Sequence, residues 1–126
     1  MAKICIIDDE KSICESLKWI LEKKGYKVKY STTFEAALDL IKKEHFDLYF
    51  VDLVLPGGEG IDLIRKIKDF KRDGKIIVIT GYPSTPTLVE SVRLHVFDYV
   101  SKPIDPKNVI KIVELALNYK NEEDKE

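Results

Sequence analysis

Hydrophobic positions alternate along the chain between short unbroken runs and longer stripes in which every third or fourth residue is apolar. The runs at residues 4–7, 48–51 and 76–79 are entirely apolar, and each predicts a strand that is buried on both faces. Residues 27–30 alternate between polar and apolar, as a half-exposed edge strand does, and residues 97–100 predict a short last strand. The stripes between these runs predict amphipathic helices.

Five helices follow from these stripes, and each has a start or stop signal. For the fourth helix the signal is Pro86, which suits its first turn. Thr33 and Asp105 are suited to cap the second and fifth helices, and Pro106 suits the first turn of the fifth. Gly25 and Gly74 mark the ends of the first and third helices. The apolar stripes of the first, second, third and fifth helices are Ile13, Cys14, Leu17, Ile20 and Leu21; Phe34, Ala37, Leu38 and Ile41; Leu63, Ile64, Ile67 and Phe70; and Val109, Ile110, Val113, Ala116 and Leu117. The fourth helix carries Leu88, Val89 and Val92.

Strands that alternate with helices predict an α/β fold, a doubly wound five-stranded parallel sheet with right-handed crossovers. The three fully apolar strands belong in the centre, and the strand order 2-1-3-4-5 achieves this with its switch point between the first and third strands. We expect one domain over residues 1–120 and a frayed, charged tail over residues 121–126.

Composition argues against several classes of protein. The 21 basic residues nearly balance the 22 acidic ones, so the chain has no general basic field for direct binding of nucleic acid. No apolar run reaches membrane-spanning length, and acids follow too early for a signal peptide, so a cytoplasmic protein without a membrane partner is expected. Cys5 and Cys14 lack the spacing of a metal or redox motif and are interpreted as small core residues.

Polar side chains stand where four of the predicted strands end. Asp8 and Asp9 follow the first strand, Asp52 ends the third, Thr80 ends the fourth, and Lys102 follows the fifth. Because parallel strands end at one edge of the sheet, these side chains should converge, and three acids there would repel one another unless a dication or shifted pKa values relieved them.

Oxygen ligands favour Mg²⁺ at such a site. A carboxylate beside Mg²⁺ can accept a phosphoryl group. A lysine and a hydroxyl can bind the oxygens of that group. The pattern therefore predicts phosphoryl transfer to an aspartate, whereas each of these residues alone is weak evidence.

These residues make the chain similar, over essentially its whole length, to the receiver domain of two-component response regulators. The fold implied is flavodoxin-like. The matching motifs are the acid pair Asp8-Asp9, the segment VDLVLPGGEG with Asp52, Pro56 and Gly60, the pair Thr80-Gly81, and the segment DYVSKP with Tyr99, Lys102 and Pro103.

The resemblance implies a signalling switch that phosphorylates itself and slowly dephosphorylates itself, and not an enzyme in the usual sense. Asp52 would accept the phosphoryl group from a phosphohistidine of a sensor histidine kinase or phosphotransfer protein. Mg²⁺ would be held by Asp9, Asp52 and the backbone carbonyl of Val54, with Asp8 assisting through water. Lys102 would contact the phosphoryl group.

The resemblance also implies how the switch would work. Thr80 would move to hydrogen-bond the phosphoryl group, and Tyr99 would turn inward. This would alter the face made by the fourth helix, last strand and last helix, which would bind a downstream effector; a homodimer through that face is a further candidate interaction. Pro56 and Gly60 would be structural, and the Lys102-Pro103 bond would be cis.

Three other interpretations stay open at this point. An aspartate-nucleophile phosphohydrolase would attack with Asp8 and use a second acid at Glu10, but the chain has no room for a cap. A module binding a phosphate cofactor, of flavodoxin type, would need amides and hydroxyls where the first strand ends in acids. A receiver that only docks partners would not need the full set of five site residues.

Four further expectations concern single segments. Trp19 lies opposite the apolar stripe of its helix, so it should point outward, either toward a kinase helical hairpin or under lysine stems. His95 should adopt a positive φ at a helix end. Residues 82–86 contain two prolines and should form a stiff loop, and residues 56–60, rich in Pro and Gly, should lack regular structure.

Overall fold

The computed structural model describes residues 1–70, 73–81 and 85–119. The tail at 121–126 and residues 82–84 of the proline-containing loop lie outside these ranges. The main elements, in chain order, are β1 (Lys3–Ile7), α1 (Lys11–Lys23), β2 (Lys27–Ser31), α2 (Phe34–Lys43), β3 (Leu48–Asp52), α3 (Gly60–Asp69), β4 (Lys75–Thr80), α4 (Thr85–Arg93), β5 (Asp98–Ser101) and α5 (Pro106–Asn118). None of the helices described combines the length and apolar character needed to cross a bilayer.

The five strands form one parallel sheet in the order β2-β1-β3-β4-β5, which confirms the predicted strand order. In the register of the sheet, Ile7 lies beside Val51 and Asp52 lies beside Ile79. The carboxyl ends of β1, β3 and β4 therefore meet at one edge, where the order of the strands reverses.

Both faces of the sheet are covered by helices. Residues of α1 and α5 pack on one face with alternate residues of the central strands, including Ile4, Phe50 and Ile77. Residues of α2 and α3 pack on the other face with Cys5 and Val78 among others. Because β1, β3 and β4 contribute side chains to both packed layers, their unbroken apolar runs are explained by burial on both sides.

The predicted helix caps act where they were expected to, whereas α3 ends at Asp69 and not at Gly74. The Thr33 hydroxyl accepts a hydrogen bond from the Ala36 amide at 3.2 Å and so caps α2. The Asp105 carboxylate does the same for α5, accepting from the Lys107 amide at 3.0 Å. His95 follows α4 with a φ of 58°, which confirms the predicted positive φ at this helix end.

The segment after β3 is more regular than the sequence predicted. Residues Val54–Leu55 and Gly58–Glu59 pair as a short antiparallel hairpin, and α3 begins at the next residue. The expectation of irregular structure was wrong because Pro56 and Gly57, the latter with a φ of 86°, suit a tight turn between two strands. The Pro56 carbonyl also accepts a hydrogen bond from the Phe34 amide at 3.2 Å, which joins the hairpin to α2.

Candidate functional site

Asp52 is held at the end of β3 with its carboxylate fixed on both sides. Its side chain is 4% exposed. Oδ1 accepts a hydrogen bond from the Val54 amide at 3.0 Å, and Oδ2 lies 2.8 Å from the ammonium of Lys102. The hairpin that follows β3 thus orients one oxygen, and a residue from the far end of the chain neutralises the other.

Lys102 follows β5, and its ammonium lies at the centre of the site. Its amide donates to the Thr80 carbonyl at 3.0 Å, and the Lys102-Pro103 bond is cis. The ammonium donates to Asp52 Oδ2 at 2.8 Å, Glu10 Oε1 at 3.1 Å and Asp8 Oδ1 at 3.3 Å. Burial lowers the pKa of Lys102, but the hydrogen bonds to Asp52, Asp8 and Glu10 more than offset this, so its pKa is raised overall.

Asp8 is fully buried beneath this ammonium. Its Oδ1 also accepts from the Glu10 amide at 2.8 Å. Its Oδ2 lies 3.0 Å from Lys102 Nζ but accepts no hydrogen bond from the described residues. Burial raises the pKa of Asp8 and the nearby Asp52 charge adds to this, against the lowering effects of the Glu10 amide and Lys102. The ionised form of Asp8 is therefore disfavoured in the folded protein.

Three neighbouring acids could hold a cation here. Asp8, Asp9 and Glu10 can each place one carboxylate oxygen within 4.8 Å of the others. Hard oxygen donors of this kind suit Mg²⁺ or Ca²⁺, and the buried Asp8 Oδ2 without a hydrogen bond is an unsatisfied acceptor that a cation would satisfy. Asp52 is not one of this group, and Val54 is exposed beside it; the ligand roles of both stay predictions.

Glu10 makes a contact with Lys102 that the resemblance to receiver domains does not imply; the phosphohydrolase alternative gave Glu10 a different role, as a second acid. It occupies the N-cap position of α1, although its side chain makes no capping bond, and it instead reaches Lys102. The available signal was its place directly after the acid pair at the end of β1, because a long carboxylate starting at that edge can reach the same cation.

Thr80 and Tyr99 occupy neighbouring strands close to Lys102. Thr80 is buried at the end of β4 beside Ser101. Tyr99 is half-buried in β5 beside Val78, and its hydroxyl hydrogen-bonds the hydroxyl of Ser91, a fully buried residue of α4. The structure therefore links the strand that precedes Lys102 directly to α4.

Trp19 is 62% exposed, as predicted, and the ammonium of Lys23 lies 3.8 Å from the centre of its ring. A cavity of about 590 Å³ opens on the Lys102 side of α1. Apolar side chains dominate its wall, and they include Ile13, Leu17, Ile20, Pro103 and Ile104. The Lys23 contact agrees with the interpretation in which lysine side chains cover Trp19. The cavity provides an apolar surface next to the site.

Replacing Asp8 by asparagine should raise the free energy of unfolding at pH 7 in the absence of metal. Because the pKa of Asp8 is raised in the folded state, ionising it costs stability, and this cost grows as the pH rises from the usual value of 3.8 through the raised pKa. Asparagine avoids this cost, so the difference in the free energy of unfolding between the variant and the natural protein should disappear at acidic pH. Urea unfolding with a chelator, at several pH values, measures this.

The exposed Asp39 provides the matched control, since Asp39→Asn removes the same charge away from the site and should change stability little. An Asp8→Asn variant less stable than the natural protein at pH 7 would mean that the Lys102 contact outweighs burial.

Comparison with known proteins agrees with this geometry. A family model described as the response regulator receiver domain matches residues 4–114. The response regulator protein PilR of Pseudomonas aeruginosa is 32% identical over 124 residues, a match that covers 98% of this chain but only 28% of PilR. The chain thus spans less than a third of that relative.

Two crystal structures share both the fold and recognisable sequence. A CheY-like response regulator receiver domain protein from Methanospirillum hungatei superposes with a TM-score of 0.90 at 33% identity and 94% coverage of both chains. A response regulator protein from Burkholderia pseudomallei, solved with a phosphorylated aspartic acid, a calcium ion and citrate, gives a TM-score of 0.82 at 31% identity, covering 94% of this chain and 67% of that one. Since the family match extends from β1 into α5, the chain belongs to the receiver domains of two-component response regulators.

Proposed function

We propose that Asp52 is the phosphoryl acceptor of this receiver domain, that the donor is a phosphohistidine of a sensor histidine kinase or phosphotransfer protein, and that the transfer needs Mg²⁺. The observation that carries this proposal is the contact of one ammonium with two buried carboxylates, Lys102 with Asp52 and Asp8. A cation fixed there is placed to bind oxygens of a group attached to Asp52.

The proposed reaction is a displacement at phosphorus. A carboxylate oxygen of Asp52 forms the new O–P bond while the P–N bond to the donor imidazole breaks, and its electron pair stays on the nitrogen. In slow hydrolysis, water attacks the phosphorus, the Asp52–phosphoryl bond breaks, and inorganic phosphate leaves. Asp8 is the weaker candidate nucleophile, because burial raises the pKa of its carboxyl group and so disfavours its ionised form.

Asp8, Asp9, Asp52 and the carbonyl of Val54 would hold the Mg²⁺, which neutralises charge on the transferred group when bound. The unsatisfied Asp8 Oδ2 supports this assignment. The Burkholderia protein was solved with a phosphorylated aspartic acid and a calcium ion, which supports the use of a divalent cation by this receiver domain.

Incubation of the protein with acetyl phosphate and Mg²⁺ tests the proposal, with intact mass spectrometry to detect one added phosphoryl group. We expect labelling that a chelator prevents and that alkali reverses, because an acyl phosphate hydrolyses readily in base. A chain that takes up no phosphoryl group under these conditions would instead support a receiver that only docks partners.

The proposed output is a change at the face formed by α4, β5 and α5. The side chains of Val89 and Val92 in α4 and of Leu115 in α5 are exposed, and exposed apolar side chains are suited to a partner or to a second copy of the chain. Within this face, the hydrogen bond between Tyr99 and Ser91 joins α4 to β5, the strand that leads to Lys102.

Thr80→Ala should separate phosphorylation from this output. The variant should still be labelled, because the nucleophile and Lys102 remain, but the α4 and β5 amide chemical shifts should change less on labelling than in the natural protein. Loss of one hydroxyl hydrogen bond, worth about 1 kcal/mol, weakens the preference for the switched state. Thr80→Ser keeps the hydroxyl and should behave normally; full-sized shifts in Thr80→Ala would contradict the proposed role.

A further inference from the structure

The ammonium of Lys102 has no donor to spare in the structure. A protonated lysine has three N–H groups, and those of Lys102 donate to three different carboxylates, to Asp52 Oδ2 at 2.8 Å, Glu10 Oε1 at 3.1 Å and Asp8 Oδ1 at 3.3 Å. Its side chain is only 14% exposed. A phosphoryl oxygen can therefore bind this ammonium only if one of the three carboxylates leaves it.

The three carboxylates differ in how readily they can leave. Asp8 is fully buried and Asp52 nearly so, so neither carboxylate can exchange the ammonium for bulk water. The Glu10 side chain is 53% exposed, and water can replace the lysine as its partner. Glu10 is also attached to the start of α1, outside the sheet, so that its side chain can turn away without moving a strand.

We propose that Glu10 is a positioning residue. Its carboxylate accepts a hydrogen bond from the N–H group of Lys102 to which a phosphoryl oxygen later binds. This inference rests on the proposed function. Glu10 keeps the ammonium oriented and fully bonded before the reaction, and the incoming phosphoryl oxygen replaces the Glu10 carboxylate. Glu10 therefore competes with the phosphodonor, and it acts through Lys102 without touching the reacting atoms.

Removing this competition should increase the apparent affinity for phosphodonors without changing the chemical step. For Glu10→Gln with acetyl phosphate and saturating Mg²⁺, we expect the half-saturating concentration to fall about threefold, the size of effect given by a partly exposed ion pair. The maximal labelling rate should stay within about twofold of the natural value. Beryllofluoride, which imitates the phosphoryl group, should bind about threefold more tightly in the presence of Mg²⁺.

Two further variants separate the contact from the charge alone. Glu10→Asp keeps the charge, but its side chain is one methylene shorter, and aspartate at an N-cap accepts hydrogen bonds from the first-turn amides of its own helix. The half-saturating concentration of acetyl phosphate should therefore fall in Glu10→Asp as it does in Glu10→Gln. Glu59→Gln removes an exposed carboxylate from the hairpin beyond Asp52 and should leave the half-saturating concentration unchanged. Calorimetry should give all four proteins the same Mg²⁺ affinity within about twofold.

The outcomes distinguish this inference from the proposed function. If the natural protein is not labelled, both fail. If it is labelled but only Glu10→Gln differs from it, charge and not contact is responsible, and the inference is wrong. An Mg²⁺ affinity at least about tenfold weaker in Glu10→Gln would make Glu10 a metal ligand and would also overturn it, as would no change in either Glu10 variant.

Discussion

Asp52→Asn should reduce labelling by acetyl phosphate to background. The amide of asparagine is not a nucleophile, so no acyl phosphate can form at this position. The fold should tolerate the change, because the side-chain oxygen can still accept the hydrogen bond from the Val54 amide. Removing the charge also relieves Asp8, whose pKa the charge of Asp52 helps to raise. Intact mass spectrometry after incubation with Mg²⁺ measures the loss, and urea unfolding checks the fold.

Asp8→Asn is the matched comparison for this experiment. This substitution also replaces a buried carboxylate that contacts Lys102. The variant should still be labelled when the Mg²⁺ concentration is high enough to offset a weakened metal site. Labelling of Asp52→Asn at the natural rate, or labelling lost in Asp8→Asn alone at saturating Mg²⁺, would move the nucleophile to Asp8 and favour the phosphohydrolase interpretation.

Gly60→Ala should destabilise the protein by about 3 kcal/mol, the upper part of the range for inserting atoms into a packed site. A Cβ at this position would lie 1.9 Å from the carbonyl oxygen of Asp52 and 2.7 Å from the Cα of Leu53. Both neighbours are backbone atoms, so α3 or the end of β3 must move. The amide of Gly60, which donates to the Leu53 carbonyl at 3.0 Å, would move with it.

Gly81→Ala is the matched control, because its Cβ would meet only side-chain atoms of Lys102 at ordinary contact distances, 3.7 Å or more. Thermal unfolding of both variants, with a decrease of about 10 °C expected for Gly60→Ala alone, measures the difference. Equal melting temperatures for Gly60→Ala and the natural protein would show that the helix start can shift without cost.

The sequence predicted the sheet and the convergence of the site for one physical reason. Burial on both faces leaves unbroken apolar runs, and parallel strands end at one edge, so Asp52 and Lys102 could be placed together without knowing a single distance. Helix caps such as Thr33 and Asp105 were also predictable, because their signal lies within three residues of the bond that it makes.

What the sequence did not predict depends on side-chain reach and on very short elements. The hairpin after β3 has strands of two residues, too short for any hydrophobic pattern to identify. The Glu10 contact joins residues 92 positions apart, and the Tyr99 to Ser91 hydrogen bond depends on how α4 sits over β5. The pairing of Ser91 leaves no signal in the local sequence, since a serine at a helix position is usually a surface residue. For Glu10 the signal was limited to its place directly after the acid pair.

The distance along the chain between Lys102 and its partners has a consequence for how the site assembles. Asp8 and Lys102 are 94 positions apart, and the lysine enters only behind β5, the outermost strand on its side of the sheet. A nascent polypeptide that stops short of this strand already possesses Asp52 and the acid pair Asp8-Asp9, yet it lacks the Lys102 ammonium that balances their charge. The buried carboxylates therefore gain their balancing charge only after β5 has joined the sheet, and they would lose it if that outer strand detached.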